Sequence, residues 1–240
     1  MAGVLSQTTE IPRKTMVMFF LLDTSGSMEG DKIGTLNDAM RETLPDLRDI
    51  SDSNADALIK LAVLDFASGT EWVTPLPVEL EGFRWQDLEA GGCTDMGEAC
   101  RELASKLSTS QFLQDKVGNY APVLILLSDG EPTDDFEGGL AELRQNKWFG
   151  AAIKIAFAVG SDANMDVLAE FTGNKELVIP VMGRAMMKKF IRFVSVTSSK
   201  IGSQRAGAGN ASQAKEAQLV QQVQQEMQEL DPEDTVDEGW

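Results

Sequence analysis

Apolar residues fall along the chain in two rhythms. Short unbroken runs, MVMFFLL (16–22), LAVLDFA (61–67), PVLILLS (122–128), AIKIAFAVG (152–160) and ELVIPV (176–181), show no strict alternation with polar residues. Strands buried on both faces read this way, because successive side chains point to opposite sides and both sides meet protein. Between the runs lie segments with helical period: KIGTLNDAMRETLPDL (32–47), MGEACRELASKLS (96–108) and GGLAELRQNKW (138–148). In the second, Met96, Cys100, Leu103 and Leu107 recur at spacings of 4, 3 and 4, one face of a helix. TEWVTPLPVEL (70–80) holds two prolines and predicts an edge strand, antiparallel to its neighbour. The alternation predicts an α/β fold, an open, Rossmann-like, mostly parallel sheet flanked by helices. A helix over RAMMKKFIRFVSVTSSK (184–200) closes it.

The rhythm changes after Ile201. The pattern divides the chain into an N-terminal arm (1–13), a domain (14–201) and a distinct segment (202–240). GSQRAGAGNASQ (202–213) is small and polar, a linker composition. AKEAQLVQQVQQEMQEL (214–230) repeats Val220, Val223, Met227 and Leu230 at 3, 4 and 3, the seam of a docking helix or short coiled coil. Two heptads are marginal in water, so a docked helix and an unstructured tail are both open. DPEDTVDEGW packs five acids before Trp240, either a solvated acidic tail or a Trp-anchored recognition tag.

Charge and composition narrow the chemistry. The 240 residues carry 38 acidic and 21 basic side chains, a net of -17. Such a surface repels phosphate backbones and anionic lipids, so no nucleic-acid and no membrane partner is expected. The absence of histidine removes His-activated nucleophiles and nearly all zinc chemistry. Any metal must be held by oxygen. Cys93 and Cys100 form no disulfide framework and are expected as buried thiols. The first residues lack an apolar signal core and no run approaches a membrane span, so a cytoplasmic location is expected.

Three predicted strand exits carry oxygen chemistry. The first gives Asp23, Ser25 and Ser27 in LLDTSGSM; the third gives Asp129 and Glu131 in LLSDGEPTDD; the loop AGGCTDMG adds Thr94 and Asp95. Ligands of open α/β sheets gather at the carboxyl ends of strands. Asp23 and Asp129, if their strands are neighbours, would repel each other, and no Lys or Arg stands in either motif. A hard divalent cation, Mg²⁺ or Mn²⁺, neutralises both and accepts short neutral oxygens from Ser25, Ser27 and Thr94. Each piece alone also reads as a capped turn; their coincidence at three exits points to a metal cradle with an open position. Asp65 interrupts its strand and either caps the following turn, the favoured reading, or stands behind the metal loop. Trp72, Trp85 and Trp148 read as packing residues.

DTSGS, Thr94 in GGCTD and Asp129 in LLSDGEPTDD together resemble the von Willebrand factor A family with its metal-ion-dependent adhesion site, over roughly residues 14 to 200. The resemblance implies a six-stranded, mostly parallel sheet and a non-enzymatic module that binds partner proteins through a divalent ion. It implies Asp23, Ser25, Ser27, Thr94 and Asp129 as the metal site, the hydroxyls in contact and the aspartates often acting through water. The open position receives an Asp or Glu from the partner. Cys93 stands between glycine and threonine where many relatives have none, so Asp95 is a competing ligand; Thr94 is preferred because Asp95 would add a third negative charge. A narrower resemblance, carried by LLDTSGSM and SDGEPTDD, is to bacterial cytoplasmic proteins of the TerY type. It implies a stress-response or signalling complex with kinase-like and phosphatase proteins.

Two other classes compete. A Mg²⁺-dependent phosphohydrolase would use Asp23 as nucleophile but needs an acid two residues on, where Ser25 stands, and a lysine near the phosphate. A scaffold would act through 202–240. The tail also offers Asp237 or Glu238 to the open position of a neighbouring copy.

Overall fold

A computed structural model of the chain describes residues 12–203 and 211–229. Seven strands form one sheet: β1 (Lys14–Asp23), β2 (Ala57–Ala67), β3 (Gly69–Trp72), β4 (Val78–Glu79), β5 (Val123–Ser128), β6 (Ile153–Val159) and β7 (Val178–Val181). Their order is β3-β2-β1-β5-β6-β7, with β4 also on β2. β1, β2, β5, β6 and β7 are parallel, and β3 and β4 are antiparallel to β2. The predicted edge strand over 70–80 is thus two short pieces. Pro75 and Pro77 fall between them, where no ladder hydrogen bond is required of them.

The run at 16–22 lacks alternation because each face of β1 is covered. Met16, Met18, Phe20 and Leu22 pack beneath α1 (Asp31–Ser53) and α6 (Arg184–Ser203), against Leu36, Met40, Phe190 and Val194. Val17, Phe19 and Leu21 face α2 (Met96–Lys106), α3 (Phe136–Arg144), α4 (Lys147–Ala151) and α5 (Met165–Thr172), among Leu103, Leu140 and Phe171. β1 lies at the centre with β2 on one side and β5 on the other. The chain winds outward in both directions from it, which opens a crevice above the carboxyl ends of β1 and β5.

Several boundaries move from those expected. α1 continues past 47, through Pro45, to Ser53, because its last turn is anchored. The Ile59 N–H donates to Ser51 Oγ (3.1 Å) and Arg13 donates to the Ser51 carbonyl (2.7 Å). α5 has no counterpart in the sequence reading, yet it is capped at both ends. Asn164 accepts from the Val167 N–H, and Gly173 follows at φ 74, a conformation that costs glycine little. α6 runs to Ser203, so Gly202 and Ser203 continue the helix. A Cβ at 202 would stand 2.7 Å from Met16 Sδ, so a side chain there requires Met16 to shift.

The helix expected over 214–230 is docked: α7 (Ala211–Gln228) lies against α6 and β6. Val220 and Val223 are buried and Met227 partly so, as the seam predicts, and Leu219 is 0% exposed beside them. Leu230, the rest of the tail and residues 1–11 lie outside the described residues. Lys215 Nζ donates to the Gly202 carbonyl (2.7 Å), Asn174 to Glu216 (2.9 Å) and Gln224 to Glu176 (2.7 Å). A fully buried leucine truncated to alanine costs about 2–5 kcal/mol. Leu219→Ala is therefore expected to lower unfolding free energy by about 2 kcal/mol or more in urea titrations; a loss within measurement error would mean that α7 is not docked in solution.

Candidate functional site

The crevice above β1 and β5 is built from three loops tied to one another. Asp23 ends β1, wholly buried, with its Oδ1 accepting from the Ser25 N–H (2.8 Å) and its Oδ2 from Ser128 Oγ (2.5 Å). The register pairs Leu22 with Leu127, which brings Ser128 abreast of Asp23. Ser128 thereby clamps the two strand exits and also accepts from the Gly130 N–H (2.8 Å). Ser25 Oγ lies 3.0 Å from Ser27 Oγ, and this pair runs from buried Ser25 to exposed Ser27.

Gly26 and Gly91 join the first loop to the second. The Gly26 N–H donates to the Gly92 carbonyl (3.1 Å), and the Gly91 N–H to the Thr24 carbonyl (2.7 Å). A side chain on Gly26 would meet the Gly92 carbonyl at 3.3 Å, so glycine permits the approach. Thr94, buried, joins the second loop to the third: its N–H donates to Thr133 Oγ1 (2.9 Å) and its carbonyl accepts from the Thr133 N–H (2.9 Å). Asp23, Ser25, Ser27, Thr94 and Asp129 are thus all placed on loops that bond to one another at one rim of the sheet.

The acids around this rim mostly have structural partners. Asp134 accepts from the N–H groups of Gly97 and Glu98 (2.8 Å each), capping α2. Asp135 accepts from the Gly138 N–H (3.1 Å) and pairs with Arg101 (2.7 Å). Asp95 accepts from the Gly69 N–H through Oδ2 (2.7 Å), which ties it to the start of β3. Asp65 does not cap the turn that follows it. Its carboxylate takes the Thr24 hydroxyl, so it stands behind the Asp-x-Ser-x-Ser loop; burial raises its pKa, the Thr24 hydrogen bond opposing.

Asp129 differs from all of these. It is 3% exposed, and its Oδ1 is buried with no hydrogen-bond partner. Asp23 is pushed up to about 6, by burial above all, with Asp129's negative charge adding to the rise and the Ser128 and Ser25 hydrogen bonds opposing it. No lysine or arginine is among the groups acting on Asp23. Among the described residues no group of three or more acids or cysteines converges. The donor set is two carboxylates and hydroxyls, oxygen only, which suits a hard divalent cation. An orphaned buried carboxylate oxygen beside a reluctant second carboxylate fits such an ion.

Sequence reasoning did not single out Ser128, Thr24 or Thr133, the residues that hold the site's loops. Ser128 was visible as the residue before Asp129, but its role needs the strand register. Cys100 is buried as expected and its thiol is pushed up to about 12, chiefly by burial. Cys93 is exposed, contrary to expectation, because its loop crosses the rim and its N–H is spent on Ser68 Oγ (3.0 Å). Trp72 and Trp85 pack and donate to Glu102 (2.6 Å) and Asn37 (3.1 Å). Trp148 packs in the second core.

The profile of the von Willebrand factor type A domain matches residues 18–189. The chain belongs to this family. Over 115 residues it is 29% identical to inter-alpha-trypsin inhibitor heavy chain H1 of Bos taurus, covering 48% of this chain and 13% of that protein. The pilus adhesin SpaC of Lactobacillus rhamnosus GG superposes with TM-score 0.59 at 13% identity, over 78% of this chain and 30% of its own. Proximal thread matrix protein 1 from the mussel byssus, with a zinc-occupied metal-ion-dependent adhesion motif, superposes with TM-score 0.59 at 15% identity, over 77% of this chain and 48% of its own. A von Willebrand factor type A protein from Catenulispora acidiphila gives TM-score 0.55 at 16% identity, over 77% of this chain and 42% of its own. The chain therefore spans less than half the length of each, and the structural likenesses establish the fold. Domains of this family are commonly metal-dependent protein-interaction modules. No helix among the described residues is long and apolar enough to cross a membrane.

Two predictions follow from burial at the rim. A thiol reagent at pH 8 is expected to label Cys93 in the native chain and Cys100 only after unfolding; two fast-reacting native thiols would contradict the placement. In metal-free protein, native Asp23 holds its proton where an unfolded aspartate, at 3.8, has lost it. The native state then binds more protons across the interval from about pH 4 to about pH 6, and this group's contribution to stability falls as pH rises through it. Asp23→Asn is expected to gain on wild type by roughly 3 kcal/mol between pH 4 and pH 7 in EDTA. A difference that stays flat with pH would show that Asp23 is not held up by burial.

Proposed function

We propose that Asp23, Ser25, Ser27, Thr94 and Asp129 hold one Mg²⁺ or Mn²⁺ through side-chain oxygens, and that an Asp or Glu of a partner protein completes the coordination from solvent. The bound ion would supply Lewis acidity at the open position. The chain's own residues supply the rest: Ser128 and the Ser25 N–H keep Asp23 aimed, Thr133 holds Thr94, and Thr24 on Asp65 fixes the turn. The unpartnered Asp129 Oδ1 carries this reading most directly. Most buried side-chain polar atoms have a hydrogen-bond partner, as a capping carboxylate does.

The reading is of a non-enzymatic module. Ser25 occupies the position where an aspartyl-nucleophile phosphohydrolase needs its second acid, and its hydroxyl is paired with Ser27. The rim selects the partner. Glu29 is exposed, with Oε1 3.8 Å from where a side chain on Gly91 would begin, and exposed Glu131 accepts from Asn164 (3.3 Å). A carboxylate approaching a chain of net charge -17 is repelled within a Debye length of about 8 Å at physiological salt. The partner's Asp or Glu is accordingly set in a neutral or basic surround. LLDTSGSM and SDGEPTDD extend the proposal to a TerY-type role, in a bacterial cytoplasmic stress-response or signalling complex with kinase-like and phosphatase proteins.

Calorimetry with MgCl₂ and MnCl₂ tests the site. Wild type is expected to take up one ion, and Asp129→Asn and Ser25→Ala to weaken uptake at least tenfold, about 1.4 kcal/mol, with the circular dichroism spectrum retained. Variants that bind as wild type does would overturn the assignment.

A further inference from the structure

A cleft of about 310 Å³ opens beside Thr15, at the start of β1. Asp23 stands eight residues further along that strand, roughly 26 Å at the rise of an extended chain, so the cleft is remote from the cradle. One wall is the segment joining β3 to β4, with Leu76 and Pro77; the other is the stretch before β5, with Lys116 and Asn119; Lys60 and Phe112 complete it. Ligand cavities run from about 300 to 1,000 Å³, so this one suits a small group.

The lining is basic, on a chain of net charge -17. Lys116 has no hydrogen-bond or ion-pair partner among the described residues. The ion pair of Lys60 is with exposed Glu79 at 3.9 Å, beyond hydrogen-bond length, and the lysine side chain is 24% exposed. The one acid of the lining is already satisfied: Asp115 accepts from the Thr15 hydroxyl (2.7 Å) and from the Val117 N–H (2.9 Å). Two ammonium groups thus border the cleft with donors to spare. Asn119 has the opposite need. Its Nδ2 donates to the Leu113 carbonyl (2.7 Å), and its Oδ1 is buried without a partner. Of the five such side-chain oxygens among the described residues, only this one and Asp129 Oδ1 are not hydroxyls. A hydroxyl can donate as well as accept, whereas these two oxygens can be satisfied only by a donor brought to them. The border is also apolar. Three large apolar side chains stand exposed among the described residues, and two are here: Leu76, 57% exposed between Pro75 and Pro77, and Val117, 44% exposed beside Lys116. Apolar side chains gathered at one place mark contact surfaces, as scattered ones do not.

We propose that this cleft binds the C-terminal residue of a partner polypeptide, one with an apolar side chain. The terminal carboxylate takes the ammonium groups of Lys60 and Lys116, the residue's own N–H takes Asn119 Oδ1, and its side chain lies against Leu76 and Phe112. Capture of chain termini through their carboxylate is a general mode of peptide recognition. A terminus is the one peptide feature that brings a carboxylate, an N–H and an apolar group on a single residue, which is what so small a cleft admits. An internal Asp or Glu would need a second residue to cover Leu76. The prolines on either side of Leu76 stiffen that wall, so little order is lost when a ligand settles on it. The cleft lies apart from the cradle, and its occupancy needs no metal.

Titration of the ¹⁵N-labelled full chain with acetyl-Ala-Leu free acid, in EDTA so that no metal competes for the carboxylate, tests this. Saturable shifts are expected at the Asn119 side-chain amide and at the Lys116 and Val117 N–H groups, with Kd on the order of 1 mM. The carboxamide of the same peptide should bind at least roughly tenfold more weakly, as should the ester analogue lacking the leucine N–H. The double variant Lys60→Gln, Lys116→Gln should lose the free acid by a similar factor with its circular dichroism spectrum retained. Equal affinity for free acid and carboxamide overturns the proposal. Acetyl-Glu-Leu carboxamide binding as tightly as the free acid overturns it in favour of an internal acid. Shifts confined to Ser25, Gly92 and Thr94 place the carboxylate at the cradle and overturn it too, and so does the absence of any saturable shift.

Discussion

The hydrogen bond from Ser128 Oγ to Asp23 Oδ2 ties together the two central strands where the sheet's winding diverges. It makes a buried carboxylate tolerable at the end of an apolar strand, and it fixes Asp129, the next residue, against the same crevice. Burying one carboxylate is costly, and burying a second beside it more so. The protein accepts both without a base in either motif, and the loops around them are tied to each other and not left to solvent. A scaffold selected only for stability would use apolar or neutral side chains there. The strain in charge is local to this rim.

The acids elsewhere at the rim sharpen this contrast. Asp134 and Asp135 cap helices, Asp95 anchors the start of β3, and Asp65 steadies Thr24. Each has a donor that explains its placement. The distinction between these carboxylates and Asp129 is one of partners and not of sequence, since LLSDGEPTDD presents four acids within seven residues. Close backbone approach enforces the arrangement as well: a side chain on Gly139 would fall 2.2 Å from the Gly97 carbonyl, so α2 and α3 cross in contact. That crossing sets the N-terminus of α2 over Asp134 and holds Thr94 just before it.

The buried strands were legible because a doubly covered parallel strand has a composition that little else shares, and β1, β2, β5, β6 and β7 appear where those runs stand. The position of Asp23 at the end of β1 and of Asp129 just after β5 was legible for the same reason. What escaped was long-range or short. Ser128 gains its role from a register between residues about a hundred positions apart. α5 is too brief for its period to show, although Asn164 and Gly173 mark its ends. The favoured reading of Asp65 failed because a cap is a local pattern, whereas its partner, Thr24, arrives through the pairing of β1 with β2. The seam of α7 showed Val220 and Val223, but not Leu219 or the polar contacts to Gly202, Asn174 and Glu176 that also dock it.

The central claim is that hydroxyls and carboxylates from three loops share one divalent ion. A crystal soaked in MnCl₂ and recorded at a wavelength giving manganese anomalous signal tests it most directly. The account predicts one strong peak enclosed by Ser25 Oγ, Ser27 Oγ and the Thr94–Asp129 side of the crevice, with contacting oxygens about 2.0–2.3 Å away. A peak placed elsewhere, or an empty crevice at saturating manganese, would contradict it.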